Sequence, residues 1–472
     1  MGDRRDNREA RKGPLSGEPG GSAADSSRGS FGDEPVGDEP FCHGLTPGDI
    51  PFDHEAPTGD EPFGHGPAPG GRAGQLATSG LRPGWTTGAC ATAAARAAYV
   101  ALLTGVHPDP VTVQLPGGRR PSFALTSADD GDGWASAAVT KDAGDDPDVT
   151  HGAVVRVRVS AGAAGAGMTF RAGPGVGVVT LPGLPLSVGE AAINPMPRRM
   201  IADNLAAVAR GYILDAGLAL QDLVTDPPTA RAPRYGVPEA PWDAGSLASG
   251  LDLDIEVSID RGEEMARHTL NPRLGIIGGL SVLGTTGIVV PYSCSAWIDS
   301  IHRGIDVAVA AGCDHVAACT GSTSERVARE RFGLPDLALI DMGDFVGAVL
   351  KYLRDHPVRR LTLCGGVAKL SKLADGHLDL HSGRSSVDTG FLASLVREAG
   401  GSETLASGVL ASTTALGAVQ VAHAAGVPLG DLIATAARDE ALRVLGGAPV
   451  AVDVLCLDRA GNPVGQAQAH PL

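Results

Sequence analysis

The chain has 472 residues, 43% of them hydrophobic, and its 38 basic against 54 acidic side chains give a formal net charge of −16. That balance excludes a general nucleic-acid binder, which needs positive charge to meet phosphates. No run of about 18 apolar residues free of charge occurs, so no membrane span is expected, and seven cysteines without CxxC pairs fit a reducing cytoplasm.

Residues 1–80 are predicted to be a disordered tail, because Gly, Pro, Ser and Asp dominate and few aliphatic side chains are present to offset the entropy of ordering. Gly-Asp-Glu-Pro recurs at 32–35, 37–40 and 59–62. The first residues, Met-Gly-Asp-Arg-Arg-Asp, are charged where a signal peptide needs an apolar core, which again points to the cytoplasm. Cys42, His43, His54 and His65 carry ligating atoms, but a flexible tail fixes no geometry and no metal site is predicted.

An α+β domain is expected over residues 81–270. Thr86 or Thr87 can cap a helix over Ala89–Leu103, and Gly105 stops it. Strands are predicted at Val111–Leu115, Trp134–Thr140 and Val154–Val159. A long helical region at Gly189–Ala216 opens on Asn194-Pro195-Met196-Pro197, prolines being tolerated in a first turn. Leu251–Ile259 alternates apolar and acidic residues, as a half-buried strand does.

The remainder, 271–472, reads as a Rossmann-like α/β domain. Asn271–Pro291 interrupts an aliphatic run with Gly275, Gly278, Gly279, Gly284 and Gly287, too many for a helix. Two readings stay open for this run: a loop whose amides line a pocket, or tight strand packing. Short apolar strands at His315–Cys319, Leu337–Asp341 and Arg360–Cys364 alternate with helices at Ser324–Arg331 and Phe345–Asp355, the pattern of a parallel sheet. Helices at 388–399, 404–411, 413–425 and 429–445 precede a last strand, Val450–Leu457.

In such a sheet ligands gather at the carboxyl ends of the strands. Three ends are readable: Gly321-Ser322-Thr323 leading into a helix, Asp341 before Met342-Gly343-Asp344, and Gly365-Gly366 before Lys369. Together they suit an adenosyl ligand, with amides for an anionic group and Asp341 for ribose hydroxyls. Lys141–Thr150 concentrates acidic residues around Asp142 and reads as an acid/base, a Mg²⁺ site or a solvated turn. Arg198, Arg199, Arg273, Lys369, Lys372 and Arg384 gather near glycines or prolines and suit a substrate with several carboxylates. His377 and His381 flank Asp379 without the spacing of a structural zinc site, and no Gly-x-Ser-x-Gly elbow supports a hydrolase.

These segments, in this order, resemble the CbiD family, the cobalt-precorrin-5B C1-methyltransferases of anaerobic cobalamin biosynthesis. The matching stretches are Thr86–Ala91, Lys141–Thr150, Gly175-Val176-Gly177 with Pro182-Gly183-Leu184, Gly189–Pro195, Asn271–Pro291, Gly365–Leu370 and His381-Ser382. The likeness runs from about residue 82 to near the C-terminus. Asp344 stands where Asn is expected in many relatives.

The resemblance implies methyl transfer from S-adenosyl-L-methionine to C1 of a tetrapyrrole, with cobalt carried in by the substrate and no metal site in the protein. It implies Asp142 and His381 as candidate catalytic residues, Arg198, Arg199, Arg273 and Lys369 toward the substrate, and Gly321, Ser322, Thr323, Asp341, Gly365 and Gly366 toward the methyl donor. A homo-oligomer is compatible with the sequence. The alternatives are a nicotinamide-dependent reductase, which would need a Gly-x-Gly-x-x-Gly turn at the first strand, and a non-catalytic corrinoid carrier. Affinity for S-adenosylmethionine separates both from a methylase.

Overall fold

The computed structural model describes residues 80–216 and 251–469, so the predicted tail and its Cys/His positions lie outside the described residues. The architecture is mixed α/β, built on two five-stranded sheets. Among the described residues no helix is long and apolar enough to cross a membrane.

The first sheet comprises β1 (Ser127–Gly131), β2 (Trp134–Thr140), β3 (Val154–Ala161), β4 (Met168–Ala172) and β5 (Leu253–Ile259), in the order β1-β2-β3-β5-β4. All pairings are antiparallel except β5 with β4, which run parallel. Along β5 the aliphatic residues are buried and Asp254, Glu256 and Ser258 are half-buried, the two-residue period of a sheet with one face on a core.

That core is covered by α1 (Thr87–Thr104) and α2 (Pro195–Ala216). Thr86 caps α1 by accepting from the Ala89 N–H at 3.2 Å, and Gly105 ends it at φ 73°. The buried face of α1 is almost entirely alanine, from Ala89 to Ala101, so helix and sheet approach closely.

The second sheet comprises β6 (His315–Cys319), β7 (Leu339–Asp341), β8 (Arg360–Gly366), β9 (Ala451–Leu457) and β10 (Pro463–Ala467), in the order β7-β6-β8-β9-β10. The first four strands are parallel and β10 is antiparallel. Eight helices flank it: α3 (Cys294–Ala310), α4 (Ser322–Phe332), α5 (Val346–Asp355), α6 (Val367–Ala374), α7 (Thr389–Glu398), α8 (Glu403–Leu410), α9 (Ala415–Ala424) and α10 (Leu429–Leu445). Cys319 pairs with both Asp341 and Cys364, so the carboxyl ends of β7, β6 and β8 lie level.

Several expectations change. The helix predicted from Gly189 begins only at Pro195, because Ala191 and Ile193 form β-bridges to Val178 and Val282 first. Val111–Leu115 shortens to Val111–Thr112, paired with Ser122–Phe123. Strands β1, β4 and β10 and helices α3 and α6 were not anticipated.

Of the two readings of the glycine run, the structure favours tight packing. Gly279-Leu280 pairs with Gly175-Val176, and Ile276-Ile277 with Val178-Val179. A Cβ on Gly279 would sit 2.2 Å from the Gly175 carbonyl oxygen, and Gly284, at φ 128°, lies against Thr86. Val282 and Leu283 donate to the Ala192 carbonyl and to Thr87 Oγ1, so these amides are spent inside the fold.

Candidate active site at the level strand ends

The three carboxyl ends of β6, β7 and β8 form one edge. At β6, Thr320 leads to Gly321, and the Ser324 hydroxyl accepts from the Gly321 N–H at 3.1 Å and donates to its carbonyl at 2.7 Å, fixing the first turn of α4. At β7, Asp341 precedes Met342, whose N–H donates to the Cys319 carbonyl across to β6. At β8, Gly365 lies against Thr320, where a Cβ would come within 2.6 Å of Thr320 Cγ2. Lys369, one turn into α6, places Nζ 3.5 Å from the Thr320 carbonyl and 3.1 Å from Asp344 Oδ1. This single lysine therefore spans all three ends.

Charged groups cluster on this edge. Arg273 forms a two-pronged pair with Glu325 in α4, both bonds at 2.6 Å, and Glu325 is 7% exposed. The pair ties the glycine run to α4 and raises the Arg273 pKa, chiefly through the Glu325 hydrogen bond. The Asp341 carboxyl is pushed above its ordinary value by burial first and by the nearby Glu325 charge second, against the pull of the Gly343 N–H, Arg273 and Lys369. Asp344 is 7% exposed, and its Oδ1 has no hydrogen bond among the described residues, because Lys369 approaches it off the bonding line.

Two glycines on this edge are uncrowded by the described residues. Gly321 is extended, with φ 160° and ψ 179°, and Gly366 has φ −59° and ψ 139°, conformations open to any residue. A Cβ on either would meet no heavy atom within 4 Å. Gly365 and Gly343 differ, the first crowded by Thr320 and the second held at φ 52°.

The start of α3 closes one side. Trp297 Nε1 donates to the Asp341 carbonyl at 3.3 Å, and the Trp297 ring lies beside Gly343. Arg384 donates to Cys294 Sγ at 3.6 Å and pairs with Asp379 at 2.5 Å, while the His381 N–H donates to Asp379 Oδ1. Tyr292, just before α3, sits at φ 57°, a left-handed conformation rare for an aromatic residue, and its N–H donates to Asp146 of the acidic loop at 2.8 Å.

The structure thus gathers Gly321, Ser322, Thr323, Asp341, Gly365, Gly366, Lys369 and Arg273 at one edge, with His381 linked to it through Arg384 and Cys294. It does not bring Asp142, Arg198 or Arg199 into that hydrogen-bonded set. Asp142 takes both guanidinium nitrogens of Arg82, one at 2.9 Å, and that hydrogen bonding lowers its pKa to about 2. Arg198 donates to the Ile193 and Ala191 carbonyls and pairs with Glu190 at 3.3 Å, anchoring the start of α2. Arg199 pairs with Asp203 one turn on and is otherwise exposed. Lys141, 2% exposed, is neutralised by Asp148 at 2.5 Å, so much of the acidic loop is structural. Sequence reasoning passed over Glu325 and Trp297; Lys372, which it grouped with the substrate cations, donates instead to the Leu380 carbonyl at 2.8 Å. It placed weight on Asp341, whereas Asp344 is the more deeply buried acid of the same turn.

Comparison with known proteins agrees with the order of the motifs. The CbiD family model matches residues 75–226 and 228–291, and the model of the CbiD C-terminal domain matches 379–468. A cobalt-precorrin-5B C(1)-methyltransferase of Paramagnetospirillum magneticum is 52% identical, covering 82% of this chain and 98% of that one. The Rhodospirillum rubrum protein of the same name is also 52% identical, over 82% of this chain and 97% of its own. The crystal structure of a cobalamin biosynthesis protein (cbiD) from Archaeoglobus fulgidus is 24% identical, covers 60% of this chain and 77% of its own, and superposes with a TM-score of 0.30. On the strength of the family match and of relatives matched over nearly their whole length, this chain belongs to the CbiD family.

Proposed function

We propose that this chain is a methyltransferase that methylates C1 of cobalt-precorrin-5B in anaerobic cobalamin biosynthesis, with S-adenosyl-L-methionine as methyl donor. The observation that carries the reaction is the 52% identity to proteins of that name, one of them matched over 98% of its length. The donor assignment is our inference from the reaction type and from the edge described above.

The residues of that edge fit such a donor. Gly321 and Gly366 leave open the space a Cβ would fill, so a ligand can approach both backbones. Asp344 offers a buried oxygen, Oδ1, that makes no hydrogen bond among the described residues, and Asp341 a second carboxyl beside it. When bound, the sulfonium supplies an electrophilic methyl group that needs no covalent catalyst. The protein's work is then to hold that group in line with a nucleophilic ring carbon and to exclude water.

Lys369 borders the edge and suits a carboxylate arm of the macrocycle, and the Trp297 ring beside Gly343 supplies aromatic surface for its plane. Arg198 and Arg199 are weaker candidates, since Glu190 and Asp203 already engage them. His381 remains our candidate for proton management on the macrocycle, and Asp142, held ionised by Arg82, is a poor proton donor near neutral pH. We read the two sheets, with their separate cores, as two domains meeting near residue 270.

The test is direct: incubate the purified chain with cobalt-precorrin-5B and S-adenosylmethionine carrying a ¹³C-labelled methyl group, then locate the label by NMR. Label at C1 is expected. A folded chain that transfers no label would refute the assignment.

A further inference from the structure

Asp344 is a buried carboxylate whose Oδ1 makes no hydrogen bond among the described residues, at a strand end where ligands bind. A buried carboxylate oxygen met by an ion pair without an aligned hydrogen bond is a position that a second cation can contest. Its present neighbour is Lys369, at 3.1 Å but off the bonding line, and the same ammonium reaches the Thr320 carbonyl only at 3.5 Å. Lys369 is thus held by one ion pair and one long hydrogen bond, and its side chain is 29% exposed. The other lysine near Asp344, Lys372, is committed: it is 7% exposed and donates to the Leu380 carbonyl at 2.8 Å. The backbone around Asp344 is fixed, because its carbonyl accepts from the Leu380 N–H at 2.9 Å.

Resting on the donor reading above, we propose that Asp344 is a cation-receiving position for which Lys369 and the positively charged methyl donor compete: the donor takes Asp344 from Lys369, and the freed ammonium turns to a carboxylate arm of the tetrapyrrole. No bond is made or broken in this exchange. One cation replaces another at a buried carboxylate, so the charge at Asp344 stays balanced throughout. The exchange couples the two ligands, because the donor releases the group that the second ligand uses. It also discriminates by charge: the demethylated product carries a neutral thioether in place of the sulfonium and competes less well for Asp344.

Calorimetry on the full chain tests this with S-adenosylmethionine and S-adenosylhomocysteine as probes. Removing the competitor in Lys369→Met should tighten S-adenosylmethionine roughly three- to tenfold, with a smaller gain for S-adenosylhomocysteine, in line with one cation contact. Asp344→Asn should weaken S-adenosylmethionine roughly tenfold or more and S-adenosylhomocysteine distinctly less. If Lys369→Met folds poorly with its carboxylate unpaired, Lys369→Gln and the double variant Lys369→Met/Asp344→Asn make the same comparison, the double variant behaving like Asp344→Asn. Weaker or unchanged S-adenosylmethionine binding in Lys369→Met and Lys369→Gln overturns the exchange, as does an Asp344→Asn loss equal for both probes. A folded wild-type chain that binds neither probe overturns the donor reading itself, and the exchange with it.

Discussion

The Arg273–Glu325 pair gives the most exacting test of how the glycine run is held to the sheet edge. Its two bonds of 2.6 Å join residues 52 apart in sequence, and the carboxylate is 7% exposed. Replacing Arg273 by Met leaves Glu325 buried without its counter-charge, which should cost about 3 kcal/mol, the low end for breaking a buried pair because Arg273 is partly solvated. Glu325→Gln keeps the shape and one acceptor, and should cost about 2 kcal/mol. The double variant has lost the interaction already, so its cost should be about 3 kcal/mol and the coupling energy about 2 kcal/mol. Arg273→Lys keeps the charge but loses the fork, for about 1 kcal/mol. Urea unfolding of the wild type and these four variants, followed by far-ultraviolet circular dichroism and tryptophan fluorescence, measures the cycle and the lysine variant beside it. A coupling energy below about 0.5 kcal/mol would mean that the single costs simply add and that the pair holds nothing together.

Asp341 has a folded-state pKa above its ordinary value, through burial and Glu325, so the fold favours its protonated form. Its contribution is fully present below the ordinary carboxyl range and is lost as pH rises through the raised value; Asp341→Asn should therefore raise the melting temperature at pH 7 and lose that advantage near pH 3. Asp142 has the opposite sign: with its pKa lowered to about 2 it supports the fold above about pH 4, so Arg82→Met should lower the melting temperature at pH 7 by a difference that disappears as pH falls from about 4 to 2. Gly321→Ala and Gly366→Ala should leave the melting temperature within a degree or two yet weaken S-adenosylmethionine binding by about tenfold, whereas Gly365→Ala should destabilise the fold against Thr320. Unchanged affinity in both alanine variants would move the donor elsewhere. A chain starting at Gly80 should melt within a few degrees of the full chain, but one starting at Pro83 should not, because Arg82 bonds to Asp142 and Asp145.

Local signals carried well from sequence to structure. Thr86 and Gly105 bracket α1 as expected, and the short aliphatic runs of β6, β7, β8 and β9 are strands because a parallel sheet buries both of its faces. The elements not foreseen share weak patterning. Strand β1 is fully exposed and carries Asp129 and Asp130, so no apolar alternation marks it. Helix α3 buries nothing in its first two turns, and only Ile301, Ile305, Val307 and Ala308 of its seventeen residues are buried. The level strand ends, and with them the glycine and Asp341 positions of the candidate site, were legible from turns following strands. What each charged residue does was not. Arg82 finds Asp142 at a separation of 60 residues and Arg273 finds Glu325 at 52, and no local pattern announces pairs made by the folded chain.

The order of the first sheet has a consequence for how the chain is made. Strand β5 lies between β3 and β4, and its Leu253 pairs with both Ala161 and Met168, positions synthesised far earlier. At ribosomal rates of about 5–20 residues per second, β3 and β4 wait roughly 4 to 18 seconds for it. Through that interval the valine-rich β3 presents an open edge, a template for pairing with another nascent chain. Insertion of Leu253–Ile259 closes both gaps at once, so chains interrupted before residue 253 should aggregate while those carried past residue 259 can complete the sheet.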